Sequence, residues 1–329
     1  MTGTMTRRLL LGATMLATPS LALAQGRRPL RVVVPFPPGG GVDSLGRLLA
    51  ERLAPLLDGQ QVVVENRSGG GGLIGADAVA KGPADGTIIG VIGAATLCAA
   101  PFIQPTMPFD VTKDFRAISL ISDSAVVLAV GADIARQRGW TDMASLLAWA
   151  RANPGGVRVA NAGVGTVTNL ALAAINTAAG VELTSVPYRG GAQQAMDVIA
   201  GTVEATADLP AALLPHIASG RMKAMGVTSG TRLAFLPDVP ALAETPALAT
   251  LDIRSWNTIL APAATPEAEV QRLFTAIRRV GQDPGFAAAL RPFGYDAVTS
   301  ESPAAMAALI ARETPAWRRL VEISGAARQ

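Results

Sequence analysis

Two glycine-rich turns are the features of this sequence best suited to chemistry. Residues 35–43 form one turn, after an apolar, Val-rich run, and residues 161–166 form the other, before a helical pattern. Glycines let the backbone approach a ligand closely, and the free N–H groups of a helix start favour an anion. The pattern therefore predicts two anion-binding helix starts. Asp43 is expected to cap its helix or fix the loop, and Thr166 offers both a hydroxyl and an N–H group; a plain tight turn remains the alternative for residues 35–43.

A third glycine loop, residues 65–75, raises a different possibility. Gly70, Gly72 and Gly75 match the dinucleotide-binding pattern G-x-G-x-x-G, and the loop follows a strand and precedes a helix. The next predicted strand, residues 87–92, is followed by glycine and alanine, so no acid is present to hold a ribose hydroxyl. Dinucleotide binding is therefore the weaker alternative.

The residue types that catalysis needs are sparse. The sequence contains no G-x-S-x-G elbow, H-E-x-x-H pair, Walker A lysine or Cys/His cluster. His216 lies in a helical pattern and is expected on the helix surface or at a cap, whereas Cys98 lies in an Ala-rich run and is expected to be buried. Tyr188 and Arg189 follow a strand and either face a cleft or, for Arg189, pair with an acid. We expect no catalytic residue, no metal and no cofactor, with an enzyme of small carboxylic acids as the remaining alternative.

The turns must be positioned by two α/β units. Apolar runs alternate with helical patterns from residue 30 to residue 92 and again from residue 157 to residue 228, which is typical of parallel sheets. Amphipathic helices fill residues 267–323, with too few strands for a third α/β domain. We expect this segment to return to the first unit, with chain crossings near residues 125 and 252.

Composition agrees with two soluble lobes. The chain has 329 residues, about two domains' worth, and only 16% are charged. Its net charge of +3 includes Arg7 and Arg8, which leaves a nearly neutral remainder with scattered positive charges. This excludes the basic patch of a nucleic-acid-binding protein, and the single cysteine excludes an intrachain disulfide.

The first 24 residues have the layout of a secretory signal. A basic region is followed by an apolar run too short to span a membrane, and Ala22-Leu23-Ala24 supplies the cleavage pattern. Arg7 and Arg8 fit the twin-arginine route as well as the Sec route. No cysteine follows the apolar run, so a lipoprotein anchor is excluded, and we expect a free periplasmic protein.

These motifs together resemble a known family. The sequence is similar to the tripartite tricarboxylate transporter substrate-binding proteins, also called the Bug family, over residues 29–325 in one colinear order. The segments that carry the resemblance include 33–43, 64–67, 74–76, 83–87, 109–115, 163–166, 186–190 and 236–240.

The resemblance implies a two-lobed α/β clamshell of the type II periplasmic-binding-protein kind, each lobe being a mostly parallel sheet flanked by helices. The first lobe would comprise residues 25–125 and 252–329, and the second lobe residues 126–251. The resemblance also implies that loop N–H groups, hydroxyls and ordered waters, rather than Arg or Lys, hold a ligand carboxylate. Carried over onto this sequence, the ligand contacts are Phe36, Gly40, Asp43, Asn66, Ser68, Gly69, Ala162, Gly163, Gly165, Thr166, Asn169, Arg189, Gly190 and Asp208.

Two positions depart from the family pattern. Many members have His where this chain has Asn169, and commonly Ser where it has Asn161. Asn donates a hydrogen bond but carries no proton charge.

The sequence and the resemblance together predict a monomeric receptor for a small organic acid, amino acid or aromatic acid. We expect it to serve a membrane transporter of two subunits or a sensing role, and to bind no nucleic acid.

Overall fold

The protein contains two mixed β-sheets, each flanked by helices. The structure, a computed structural model, describes residues 27–188 and 190–326. The signal expected in residues 1–24 and the expected contact Arg189 lie outside the described residues. Within those ranges, no helix is both long enough and apolar enough to cross a membrane.

The first lobe is built on a six-stranded sheet with the order β11-β4-β10-β3-β1-β2. Strand β1 pairs in parallel with β2 and β3, whereas β10 is antiparallel to both of its neighbours, β3 and β4. The strands are β1 (Leu30–Val34), β2 (Val62–Asn66), β3 (Ile88–Gly93), β4 (Phe115–Asp123), β10 (Asn257–Pro262) and β11 (Asp296–Ala297).

The second lobe is built on a five-stranded sheet with the order β7-β6-β8-β5-β9. Strand β6 is parallel to β7 and β8, and β5 is antiparallel to β8 and β9. The strands are β5 (Val127–Gly131), β6 (Val157–Asn161), β7 (Leu183–Pro187), β8 (Ala205–Asp208) and β9 (Met222–Val227).

Helices cover both sheets. Those of the first lobe are α1 (Gly41–Leu53), α2 (Leu73–Ala80), α3 (Ala100–Ile103), α9 (Glu267–Gly281), α10 (Pro284–Leu290) and α11 (Pro303–Ile323). Those of the second lobe are α4 (Ala132–Arg138), α5 (Met143–Ala152), α6 (Val167–Ala179), α7 (Gly191–Ile199) and α8 (Pro210–Ala218).

The expectation of mostly parallel sheets is confirmed in strand direction, although both sheets are mixed: β1, β2, β3 and β4 run one way in the first sheet, and β6, β7, β8 and β9 run one way in the second. The sequence predicted strands β1, β2, β3, β6, β7, β8 and β9, but it did not predict β4, β5 or β11. Strand β10 returns from the second lobe and inserts between β3 and β4, so it runs antiparallel to both of them. The two-lobed α/β architecture itself is as expected.

The chain passes between the sheets twice, from β4 to β5 and from β9 to β10. An isolated antiparallel bridge joins Ala125 in the first passage to Arg254 in the second. Arg254 also forms ion pairs with Asp123 and Asp252. Two neighbouring chain segments therefore connect the lobes. The Ala125–Arg254 bridge and the ion pairs of Arg254 hold these two segments together.

Candidate functional site

A cavity of about 380 Å³ lies between the two lobes. None of the described residues that line it is Lys or Arg. Five of the residues expected from the sequence line the cavity: Phe36, Ala162, Gly165, Thr166 and Asp208. Six further side chains that the sequence reasoning missed also line the cavity: Thr96, Ile103, Thr168, Ser255, Asn257 and Tyr295.

A network around Asp43 holds the first glycine turn. Its Oδ2 accepts hydrogen bonds from the Gly39 N–H and from Arg47 Nε, both at 2.9 Å, and its Oδ1 accepts one from Asn66 Nδ2 at 2.8 Å. Asn66 Nδ2 also donates to the Phe36 carbonyl at 3.0 Å. Asp43 and Asn66 therefore fix the loop from behind, and neither lines the cavity.

The charge of Asp43 is balanced within this network. Burial by itself raises the pKa of Asp43, but the hydrogen bonds from Arg47, Gly39 and Asn66 outweigh that effect and hold the pKa below its ordinary value. The carboxylate is 2% exposed. The first turn thus contributes backbone and apolar surface to the cavity and no unbalanced charge.

The glycine loop at residues 65–75 has a backbone that only glycine adopts readily. Gly69, Gly70, Gly71 and Gly72 have φ angles of 131°, 58°, 65° and 97°. Thr96 Oγ1 donates to the Gly71 carbonyl at 3.1 Å, and a Cβ added to Gly72 would lie 2.8 Å from that hydroxyl oxygen. The run of glycines therefore lets the loop lie against Thr96 while its backbone reaches the cavity.

The same packing accounts for the glycines that matched a dinucleotide pattern. A Cβ on Gly75 would lie 2.6 Å from the Pro35 Cβ, so this glycine lets α2 pack directly on the first turn. Strand β3 ends at Gly93, with no acid following it. Close packing between two loops thus explains these positions without a nucleotide.

The second-lobe turn ends in a capped helix start. Thr166 is the N-cap of α6; its hydroxyl donates to the Gly163 carbonyl at 2.6 Å and lies 3.0 Å from Thr168 Oγ1. Thr168 Oγ1 in turn accepts a hydrogen bond from the Ala162 N–H at 3.0 Å. These hydroxyls fold the turn back over the first residues of α6.

The start of α6 leaves donors free towards the cavity. Within the described ranges, the N–H groups of Val167 and Thr168 have no hydrogen-bond acceptor, and both residues line the cavity. The first N–H groups of a helix lack partners inside the helix, and the helix dipole adds partial positive charge there. The geometry is suited to an anionic oxygen.

Two side-chain amides, those of Asn161 and Asn169, also hold this turn. Asn161 Oδ1 accepts from the Gly163 N–H at 3.0 Å, and its Nδ2 donates to Ser185 Oγ at 2.7 Å. Asn169 Oδ1 lies 3.4 Å from the Gly165 nitrogen, and its Nδ2 lies 3.3 Å from Ser185 Oγ. Asn169, where many relatives have His, therefore supports the turn and does not line the cavity.

Asp208 differs from every other residue around the cavity. It ends β8, is 9% exposed, and its Oδ1 accepts a hydrogen bond from the Leu209 N–H at 2.8 Å. Burial raises the pKa of Asp208 to about 6, and the bond from Leu209 opposes only part of this shift. It is the one side chain with a formal charge among the described lining residues.

The far wall of the cavity comes from the C-terminal return of the chain. Asn257, at the start of β10, donates from Nδ2 to Ser122 Oγ at 3.0 Å. The Tyr295 hydroxyl lies where a Cβ on Gly41 would approach it to 3.1 Å, and burial raises the pKa of Tyr295 to about 12. Sequence reasoning gave Ser255 no role, because only the insertion of β10 brings this segment to the cavity.

The other expected contacts do not line the cavity: Gly40, Ser68, Gly69, Gly163 and Gly190. Gly40 and Gly190 are the N-caps of α1 and α7, so they adjoin helix starts near the site. The site prediction as a whole stays a prediction.

Neither Cys98 nor His216 lines the cavity. Burial raises the pKa of the Cys98 thiol to about 12, and Cys98 is fully buried. His216 is in the last turn of α8, where its Nδ1 lies 2.7 Å from the Arg221 guanidinium. Both predictions about these side chains are confirmed. No group of His, Cys, Asp or Glu suited to a metal occurs in the described part of the chain.

The fold and the cavity define a class of protein, the two-lobed α/β binding protein that encloses a small ligand between its lobes. The sequence matches the family described as the tripartite tricarboxylate transporter family receptor, TctC, over residues 45–325. The chain belongs to this family, and the resemblance seen in the sequence is confirmed.

Relatives and solved structures support the assignment. The chain is 38% identical over 320 residues to a UPF0065 protein in the tcbD-tcbE intergenic region of Pseudomonas sp. strain P51, which covers 96% of this chain and 93% of the relative. It is similar to the periplasmic binding protein BugD, with 30% identity, a TM-score of 0.77 and coverage of 92% and 99%. It is also similar to R. palustris Rpa4515 with adipate, with 30% identity, a TM-score of 0.80 and coverage of 92% and 98%. Since these structures are of solute-binding proteins, the prediction that the chain is not an enzyme is confirmed.

Proposed function

We propose that this chain is a periplasmic receptor that encloses a small carboxylate-bearing molecule between its lobes and presents it to membrane transporter subunits. One observation carries the proposal. The N–H groups of Val167 and Thr168 have no acceptor among the described residues, and both residues line a cavity whose described lining contains no Lys or Arg. Backbone donors at a helix start, not ion pairs, are the groups available to hold a carboxylate.

Family membership supports the ligand class. The similar protein Rpa4515 holds adipate, a small carboxylate, and this chain covers nearly all of its length. We propose that the carboxylate lies against the start of α6, with Thr166, Thr168 and the Gly165 backbone around it. The glycines of the loop at Gly70 and Gly71 would close over it from the first lobe.

The two passages between the sheets support a hinge. We propose that residues 25–125 and 252–329 move as one lobe and residues 126–251 as the other, with closure about the Ala125–Arg254 bridge. The region 1–24 would direct the chain to the periplasm, and the mature chain would act there as a monomer. Docking on a two-subunit membrane transporter follows from the family and is part of the proposal.

A thermal unfolding screen of the mature chain tests the ligand class. The panel would contain adipate, malate, benzoate, glutamate, NAD and ATP at pH 7.5. At a concentration of 100 times its dissociation constant, a bound carboxylate should stabilise the protein by about 2.7 kcal/mol. A response to nucleotides with no response to any carboxylate would overturn the proposal.

A cavity-filling variant tests the location. Ala162 is exposed and lines the cavity, so Ala162→Phe should abolish the ligand response without disturbing the core. Ala304→Phe, at an exposed position on α11 away from the cavity, is the matched control and should respond as the wild type does. Equal responses from both variants would place the ligand elsewhere.

A further inference from the structure

A second cavity, which we term the β9 slot, lies at the outer edge of the second sheet. It has a volume of about 560 Å³ and is lined by three consecutive residues of the edge strand β9, Met222, Lys223 and Ala224. One wall includes Trp140, between α4 and α5, and the other includes Ile217 of α8 on the opposite face of the sheet. The slot therefore follows the sheet edge between two layers of helices.

The backbone of β9 is unpaired along this slot. The Ala132 N–H donates to the Arg221 carbonyl at 3.0 Å, so the adjacent pair Gly131–Met222 is a non-hydrogen-bonded antiparallel pair. The N–H and carbonyl groups of Met222 therefore point away from β5, and those of Ala224, two residues further on, do the same. No described residue forms a hydrogen bond with them. An unpaired edge of this kind is a template for another strand.

The remainder of this edge already carries an added strand. The Val227 N–H donates to the Pro240 carbonyl at 2.9 Å, and Val227 forms a parallel bridge with Ala241. This short segment approaches the end of the slot, where Asp238 and Val239 line it. The edge of β9 thus accepts an extended segment where the chain supplies one, and the slot is the part that the described chain leaves open.

Trp140 adds an unsatisfied donor to the same slot. The residue is 1% exposed, and its buried Nε1 has no acceptor in the described part of the chain. The Arg138 guanidinium carbon lies 5.1 Å from the Trp140 ring centroid, and the Trp149 ring makes an edge contact with it at 5.4 Å. Buried donors are rarely left without a partner. A carbonyl oxygen of a segment bound in the slot would supply one.

The charges of the slot indicate what such a segment carries. Arg136 forms an ion pair with Asp133, whereas Lys223 and Asp238 form none with any residue that the structure describes. One cation and one anion of the lining are therefore unpaired. A segment with one acidic and one basic residue complements both, and complementary charges favour the correct partner.

We propose that the β9 slot is the docking site for an extended segment of the membrane transporter, which pairs with β9 as an added strand and carries an acidic residue for Lys223 and a basic residue for Asp238. This inference rests on the proposed function, which supplies a transporter as the partner. In this mode of recognition, main-chain hydrogen bonds give affinity and side chains give specificity. A second copy of this chain does not fit, because the helices on its own sheet would collide with those on either side of the slot.

Selection from a library of random nine-residue peptides on the mature chain tests the slot. We expect the selected peptides to combine β-branched residues with one acidic and one basic residue. By nuclear magnetic resonance, a bound peptide should slow amide hydrogen exchange at Met222 and Ala224 about tenfold or more. Exchange at Lys223, whose N–H faces β5, should change less. A library without binders, or binders that leave the Met222 and Ala224 amides unchanged, would overturn the proposal.

Charge reversal separates docking from a structural role. Lys223→Glu should weaken a selected peptide about tenfold, and a peptide with lysine in place of its acidic residue should bind this variant again. Arg319→Glu makes the same charge change at an exposed site on α11 and should bind the original peptide as the wild type does. Equal weakening by both variants, or no recovery with the altered peptide, contradicts the assignment of Lys223.

A second variant tests the backbone pairing. Ala224→Pro removes an N–H that faces the slot and has no partner in the sheet, and proline is tolerated at such edge positions. It should abolish peptide binding and leave the thermal response to carboxylates unchanged. Peptide binding that persists in this variant contradicts strand addition.

The two proposals fail in different ways. A protein that responds to carboxylates in the thermal screen but yields no peptide for the slot keeps the proposed function and contradicts only this inference. A protein that binds peptides in the slot but no carboxylate contradicts the proposed function, and with it the transporter as the partner.

Discussion

Two buried aspartates, one in each lobe, stand beside the same cavity in opposite circumstances. Asp43 receives three hydrogen bonds, one of them from a guanidinium, and its pKa lies below its ordinary value. Asp208 receives one hydrogen bond from a backbone N–H, and its pKa is raised to about 6. Burial raises the pKa of both groups; three hydrogen bonds outweigh that effect at Asp43, whereas the single bond from Leu209 does not at Asp208. The first carboxylate stabilises a loop, whereas the second is reached by one donor among the described residues.

The two glycine turns, residues 35–43 and 161–166, also differ in the groups that hold them. In the first lobe, a charged network with Asp43 and Arg47 holds the turn. In the second lobe, neutral hydroxyls and amides do so, through Thr166, Asn161 and Asn169. A neutral support leaves the helix start of α6 with its partial positive charge uncompensated, which suits an anion. The lobes therefore contribute differently to one site.

Removing the first carboxylate should have the largest effect on stability. Asp43→Ala leaves the Gly39 N–H and the Asn66 amide without their buried acceptor, so the free energy of unfolding should fall by about 3 kcal/mol. Urea denaturation at pH 7.5 measures this. The control Arg47→Ala should cost less, about 1.5 kcal/mol, because the guanidinium is 54% exposed and Asp43 keeps its bonds from Gly39 and Asn66. Equal losses from the two variants would show that the ion pair, not the loop network, carries the stability.

Neutralising the second carboxylate should have the opposite sign. A raised folded-state pKa means that the protein is most stable below the unfolded pKa near 4 and loses stability as pH rises through about 6. Asp208→Asn removes this loss, so the ligand-free variant should be more stable than the wild type by roughly 2 kcal/mol at pH 7.5 and equal to it at pH 4. Denaturant unfolding at both pH values measures the difference. A variant less stable than the wild type at pH 7.5 would contradict the contrast with Asp43.

A smaller effect is expected at the second turn. Thr166→Val removes the N-cap hydroxyl that donates to the Gly163 carbonyl, so stability should fall by about 1 kcal/mol. The affinity for a bound carboxylate should fall as well, because the helix start loses its fixed geometry; thermal unfolding and calorimetry measure the two effects. Thr166→Ser keeps the hydroxyl and should restore both. Unchanged affinity in Thr166→Val would mean that backbone N–H groups alone hold the ligand.

Sequence reasoning predicted most strands of the two α/β units and missed three that form only antiparallel pairs, β4, β5 and β11. Strand β1 reads as a continuous apolar run, and the burial of its residues agrees with that pattern. Strand β4 mixes Ser and Arg with apolar residues, because it lies in the sheet between the late strand β10 and the short β11. Its pairing partners come from the far end of the chain, so local pattern gave no signal for them.

The ligand contacts expected from the sequence also differ in whether they line the cavity. Thr166 and Gly165 line the cavity because the turn, the cap and the helix start are local features of one segment. Asp43 and Asn66 were expected beside the ligand, but their side chains meet each other across two loops. Residue type and spacing identify a polar pair of this kind, whereas its orientation depends on how the two loops pack.

The sequence by itself determined where the backbone must turn and where helices must begin. Four consecutive glycines at positive φ, and a threonine that caps α6, are fixed by conformational preference alone. Only the tertiary structure decided which polar groups face the cavity. Asn257 and Tyr295 reach it because β10 and β11 return to the first sheet. Among the described residues no cation pairs with Asp208, and Gly191 brings the start of α7 against it. Both outcomes depend on contacts between distant parts of the chain, which local pattern does not encode.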